Sequence, residues 1–250
     1  MFNHDHHQTI LTILNALNSD LLKESQAHFG GGTLLALRFN EYRWSQDIDL
    51  ICPVLRGGYR ALRNAVSQGQ YKALFPNGFP FELPREIQTN QYGIRFPIKA
   101  DGHTIKFEII AEARIELDPP ETPEWGPIPC LSLVDCFAEK LMANADRWYD
   151  QAIHSRDLID LSVLRKHSPI PARAIEKAEG AYEVLVSLKK AIQAFQKSPE
   201  HRRNCFETLQ IDRSHVVEVI DGLDLLAEDL RLPVTLRETE EEPEGLQLSL

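Results

Sequence analysis

The chain has 250 residues, 43% hydrophobic and 26% charged, with a formal net charge of −10. That gives room for one large or two small globular domains, and the acidic balance argues against a general nucleic-acid binder, which needs Lys and Arg to neutralise phosphates. No run of about 18 apolar residues exists to span a bilayer, and the start MFNHDHHQTI lacks the basic and apolar regions of a signal peptide, so no membrane association and a cytoplasmic location are expected.

Ile10, Leu11, Leu14, Leu17, Leu21 and Leu22 recur at helical spacing and predict one amphipathic helix over 8–24. His4, His6 and His7 before it are expected to belong to a frayed terminus rather than a metal tract. AHF reads as a short strand ended by Gly30-Gly31-Gly32, with His28 structural and Thr33 placed to cap a helix over LLALRFN. RWSQDIDLIC alternates with period two and predicts a strand over 43–52, with Trp44 on the phase that faces a core. A helical pattern follows over 56–69, then the Pro/Gly-rich loop FPNGFPFELP. YGIRFPI and TIKFEII read as paired strands joined at Asp101-Gly102.

The proline-rich stretch LDPPETPEWGPIP breaks this pattern and places a boundary between 1–118 and 119–238. Beyond it the sequence is helical. LVDCFAEKLMANADRW carries Val134, Phe137, Ala138, Leu141 and Met142 on one stripe. SRDLIDLSVLRKH follows with Ser155 as its cap, and further helices are predicted over 170–197 and 212–231. Residues 239–250 are expected to be an acidic, disordered tail; Glu240, Glu241, Glu242 and Glu244 lie there. Cys52, Cys130, Cys136 and Cys205 form no CxxC and read as reduced thiols.

One constellation carries chemistry. Alternate side chains of a strand share a face, so Arg43, Ser45, Asp47 and Asp49 are expected to project together. Neighbouring carboxylates repel unless a cation lies between them, and Mg2+ takes one or two carboxylates together with substrate phosphates. Gly30, Gly31 and Gly32 allow a close phosphate approach at a helix N-terminus. Glu108 in TIKFEII offers a third carboxylate, as metal ligand or proton acceptor. Candidate basic patches are Arg56, Arg60 and Arg63 with Lys72, and Lys197 with Arg202 and Arg203. Trp44 and Trp148, with Tyr149, are aromatic candidates for stacking on a base.

The stretch GGGTLLALRFNEYRWSQDIDL resembles the nucleotidyltransferase signature of the DNA polymerase β superfamily: a glycine pair, a helix, then Asp-apolar-Asp. The row Arg43-x-Ser45-x-Asp47-x-Asp49 is more narrowly similar to the AbiEii/AbiGii-type nucleotidyltransferase toxins of type IV toxin–antitoxin and abortive-infection systems. DCFAEKLMANADRWYDQAIHSRDLIDL resembles that family's helical motif and supplies Lys140, Arg156, Asp157 and Asp160. The sequence departs from the pattern in carrying three glycines, and Glu108 in place of Asp.

The resemblance implies an α+β fold: a polymerase β-like module with a mixed sheet over 1–118, then a helical domain. It implies an enzyme that transfers NMP from an NTP to an acceptor hydroxyl. Gly30, Gly31, Gly32, Thr33, Arg43 and Ser45 would hold the nucleotide. Asp47, Asp49 and Glu108 would bind one or two Mg2+ ions, and Lys140 and Asp157 would complete the site. Lys140 with Asp157 or Asp160 could instead form only a helix–helix salt bridge. The implied acceptor is RNA, such as a tRNA 3′ end, and the implied partner is a cognate antitoxin. A small-molecule transferase, such as one acting on an aminoglycoside, a protein-modifying one, and a non-catalytic nucleotide-binding module are the alternatives.

Overall fold

Period-two segments become the centre of the computed structural model, which describes residues 2–78 and 81–236. Five strands among the described residues form one mixed sheet: β1 (His28–Gly30), β2 (Ile48–Pro53), β3 (Gln88–Thr89), β4 (Gly93–Ala100) and β5 (His103–Glu112). Their order is β1-β2-β5-β4-β3. β2 and β5 run parallel, and the other neighbours are antiparallel. Asp101 and Gly102 join β4 to β5, both at positive φ, as a two-residue hairpin turn requires.

Register matters more than strand length. Gly30 lies opposite Asp49, Asp49 opposite Glu108, and Glu108 opposite Arg95. These four residues form one row across four strands. The alternate positions Ile48, Leu50, Phe107 and Ile109 are fully buried, so burial of one phase presents the acidic row on the other.

The first half also carries α1 (Asp5–Ala16), α2 (Ser19–Glu24), α3 (Gly31–Arg38), α4 (Gly58–Gly69) and the short α5 (Tyr71–Leu74). The second half is helical: α6 (Leu133–Arg147), α7 (Arg156–His167), α8 (Ala172–Glu179), α9 (Val184–Lys197), α10 (Pro199–Thr208) and α11 (Arg213–Asp229). Buried apolar side chains from both halves form one core cluster. The proline-rich segment is stitched to β1: Phe29 N donates to Pro129 O, and Leu131 N to Phe29 O. All four cysteines are buried and free. No helix among the described residues is long and apolar enough to cross a membrane.

Several expected elements differ. The helix over 8–24 is two helices, because Asn18 starts a new one by accepting from Leu21 N. His6 and His7 are not frayed but buried in α1. β2 begins only at Ile48; residues 43–47 have no ladder partner and are held by side chains and by the bond from Trp44 N to Leu209 O. Thr33 and Ser155 do not cap through their hydroxyls, which bond to Asp47 O and His201 respectively. Residues 170–197 divide into α8 and α9, and α10 appears in addition, with Ser198 capping it and Pro199 in its first turn. Trp44 is only half-buried and packs on the rings of His4, His6 and His7. The acidic tail lies outside the described residues.

Candidate active site

The acidic row opens onto a cavity of about 320 Å³ between the sheet, α3 and α6. Gly31, Gly32, Arg43, Ser45, Asp47, Asp49, Glu108 and Lys140 all line it. Asp157 does not; it lies behind Lys140 and Arg147. Gly30 is also set back, packed against Leu131 and Ile51. Thr33 is buried, and its hydroxyl donates 2.6 Å to Asp47 O and lies 2.8 Å from Ser45 Oγ. It braces the loop that presents Ser45 and Asp47.

The start of α3 is built against Asp49. Gly31 has φ +71, and a Cβ there would collide with the Asp49 carboxylate. The first backbone N–H groups of α3 have no partner within the helix and favour an anion at this end. An anion-binding helix end and a carboxylate pair therefore share one wall.

Segment 41–47 is fixed from both halves. Arg43 donates through Nε and Nη2 to Asp160 at 2.6 and 2.9 Å, and through Nη1 to Trp44 O at 2.9 Å. Tyr42 Oη donates to the same carboxylate. From α1, His7 bonds Glu41 Oε1 at 2.7 Å and Ser45 O at 3.1 Å. Glu41 also accepts from the backbone N–H groups of Asn3 and His4. Arg43 is thus a strut between the loop and α7, although its edge reaches the cavity.

Lys140 makes helix–helix ion pairs and also faces the cavity. Its ammonium pairs with Asp157 at 3.0 Å and with Asp160 at 2.5 Å, and it also lines the cavity. Arg147, two turns further along α6, makes a two-pronged contact to Asp157 at 2.6 and 2.9 Å. Burial alone would raise the Asp157 carboxyl, but Lys140 and Arg147 more than offset it and hold it well below the usual carboxylate range.

The row acids behave differently. Burial, then the charges of Asp47 and Glu108, push Asp49 up to about 6. Asp47 is also raised, first by burial and further by Glu108, against the pull of Lys106 and Arg156. Glu108 is lowered: burial would raise it, but ion pairs with Lys106 and Arg95 prevail.

Several cavity residues had no assigned role in the sequence: Lys106, Arg114, Glu139, Asp146, Arg147 and Arg156. Lys106 shares its strand face with Glu108, and Arg147 lies seven residues after Lys140 on one helix, so periodicity carried a signal for both. Glu139 carried none. It is pushed up to about 8 by burial and by Glu112. Of the proposed basic patches, Arg60, Arg63 and Lys72 do not line the cavity, and Arg202 is buried, donating to the carbonyls of Phe195 and Gln196. The Arg56 side chain lies outside the described ones.

Among the described residues no three His, Cys, Asp or Glu side chains converge into a ready metal cage. Asp47 and Asp49 still fit a hard divalent ion. Burial raises both, the charge of Asp47 raises Asp49 further, and a Mg2+ site needs only one or two carboxylates when phosphates supply further oxygens.

The sequence model of the nucleotidyl transferase AbiEii toxin, Type IV toxin–antitoxin system, matches residues 12–229. No curated protein matches in sequence. Two solved structures from Helicobacter pylori share the fold. JHP933 has a TM-score of 0.51 and 17% identity, over 92% of this chain and 95% of that one. A candidate nucleotidyltransferase has a TM-score of 0.50 and 18% identity, over 90% and 95%.

Proposed function

The chain belongs to the AbiEii nucleotidyl transferase toxin family, and from that premise we propose a Mg2+-dependent transfer of NMP from an NTP to an RNA hydroxyl, with a tRNA 3′ end as the acceptor. The observation that carries the reading is the contact of Gly31, at the start of α3, with Asp49, beside Asp47 and under Lys140. A triphosphate needs an anion-binding backbone, and its metal needs carboxylates beside it.

Asp47 and Asp49 would hold the ion, while Glu108, paired with Lys106 and Arg95, stays anionic beside them and is a poor proton acceptor. The bound ion would neutralise charge on the phosphates it touches. Gly31, Gly32 and the first turn of α3 receive the outer phosphates, and the Ser45 hydroxyl would turn from Thr33 to donate to one oxygen. Lys140 and Arg156 add positive charge. The acceptor oxygen attacks the α-phosphorus in line, the bond to the bridging oxygen breaks, and pyrophosphate leaves. The acceptor's proton passes to solvent at the open side of the cavity. Asp157 orients Lys140, and Asp160 fixes Arg43. Lys106, Arg114 and Arg147 at the cavity are paired with Glu108, Glu112 and Asp157, so a polyanionic acceptor would draw chiefly on Arg156 there.

The test is incubation with each α-labelled NTP, Mg2+ and total cellular RNA. Label should enter tRNA, and Asp47→Ala should abolish it. Label on protein, or on an added aminoglycoside and not on RNA, would redirect the acceptor. NTP binding with no transfer to any of these would sink the catalytic reading. The toxin role predicts growth arrest on expression, lost in Asp49→Ala and relieved by a cognate antitoxin. A cytoplasmic location follows from such a target.

A further inference from the structure

A second cavity of about 270 Å³ lies beside the first, and Arg147 lines both. It is enclosed by the end of α6, the turn Gln151–Ile153, the start of α7 and one face of α9. Its character differs from that of its neighbour. The indole of Trp148 and the ring of Phe195 form apolar walls, with Ala194 at an exposed edge.

Polar side chains line it too, among them Arg147, Tyr149, Gln151 and Ser198. Asp157 is fully engaged by Lys140 and Arg147. His201 is held by Ser155 at 2.9 Å. Asn144 is different: it is 2% exposed, lines the cavity, and its Nδ2 has no hydrogen-bond partner among the described residues. Leaving a buried amide without a partner destabilises the fold. The site therefore keeps a neutral donor for which no described residue supplies an acceptor.

A flat apolar wall and a neutral amide do not suit phosphate. They suit a planar heterocycle, which stacks on an indole and offers ring nitrogens and carbonyls to an amide. The phosphate-binding cavity lies just across Arg147. We propose that this second cavity is a nucleobase subsite of the transferase. The assignment rests on the NTP reading of the first cavity. The base belongs either to the NTP or to the terminal nucleotide of the acceptor, and the chemistry of recognition is the same.

Two variants test it on the full chain. Ala194→Trp fills the cavity from an exposed position, and Asn144→Leu removes the donor while keeping bulk. In the first arm, calorimetry with Mg2+ measures ATP, GTP, CTP, UTP and inorganic tripolyphosphate. If the NTP base is the occupant, at least one NTP binds the wild type about tenfold tighter than tripolyphosphate, and both variants lose that excess. Affinity for tripolyphosphate itself stays unchanged. In the second arm, AMP, GMP, CMP and UMP are added with tripolyphosphate saturating. If the acceptor base is the occupant, a monophosphate quenches tryptophan emission in the wild type but not in Trp148→Phe, and both cavity variants lose its binding. Wild-type-like binding of every nucleotide by both variants would overturn the subsite alone. A wild type that binds neither tripolyphosphate nor any NTP would overturn the transferase reading, and the subsite with it.

Discussion

Gly31 and Asp49 are so close that each limits what the other can be. Alanine at position 31 would meet the Asp49 carboxylate and would also occupy φ +71, a region costing a non-glycine residue about 1–3 kcal/mol. Gly31→Ala is therefore expected to lower Tm and to lose transfer together, because Asp49 must move. Asp49→Asn separates the two effects. The folded carboxyl titrates near 6 rather than 3.8. Ionised Asp49 thus favours the unfolded chain: the fold is relieved below about pH 4 and penalised as pH rises through 6. Without metal, the Asp49→Asn substitution should stabilise the protein at pH 7 by about 1–3 kcal/mol, with little effect at pH 4, while transfer is abolished. Thermal melts in chelator at both pH values check this, and an unchanged or lower Tm at pH 7 would refute it. The glycines and the Asp-Ile-Asp were legible in the sequence because they act within a short stretch. Arg43 was not: its partner Asp160 lies more than a hundred residues away, and nothing near Arg43 names it.

At the scale of elements, the loop between α3 and β2 has no ladder of its own before Ile48, so neighbouring elements set its shape. α1 does so through His7, which ties Glu41 to the Ser45 carbonyl. His7→Leu leaves Glu41 with only the Asn3 and His4 N–H groups and removes the side-chain bond to that carbonyl, and is expected to cost about 1–3 kcal/mol. Its kinetic signature should be a lower kcat with NTP affinity nearly intact, since Asp47 shifts while the start of α3 does not. An equal loss of affinity would point to general unfolding instead. A second element contact is equally tight. On α11, Gly222 lies against the backbone carbonyl of Ser162 on α7, leaving no space for a methyl group. Gly222→Ala should separate the two helices at a cost of about 1–3 kcal/mol. Because α7 carries Asp157 and Asp160, activity should fall below what the lost stability explains; a fully active folded fraction would disprove the link. Helix and strand identity was largely readable from periodicity, while their limits were not. The break at Asn18 rests on one capping residue inside an apolar pattern, and α10 rests on the Ser198 cap and Pro199 ahead of a mostly polar stretch.

For the whole molecule, the question is whether the segments on either side of residue 118 behave as two units. The proline-rich stretch signals a boundary in sequence, yet contacts across it are extensive. Cys130 bridges to Phe29, Arg43 is buried on Asp160, and the core cluster runs from Ile10 to Ala227 without a gap in burial type. Separating the halves would expose Leu131 and Phe137 and break the contact of Arg43 with Asp160. We therefore expect a single calorimetric transition, with calorimetric and van't Hoff enthalpies equal. Mg2+ with NTP should raise that one transition, by about 2.7 kcal/mol of stability at a hundredfold excess over Kd. Two resolved transitions, with only the earlier sequence half responding to nucleotide, would instead establish a site complete without Lys140. The first outcome would make the site a product of both halves: carboxylates and the anion-binding turn from the sheet side, and the cation that faces them from α6.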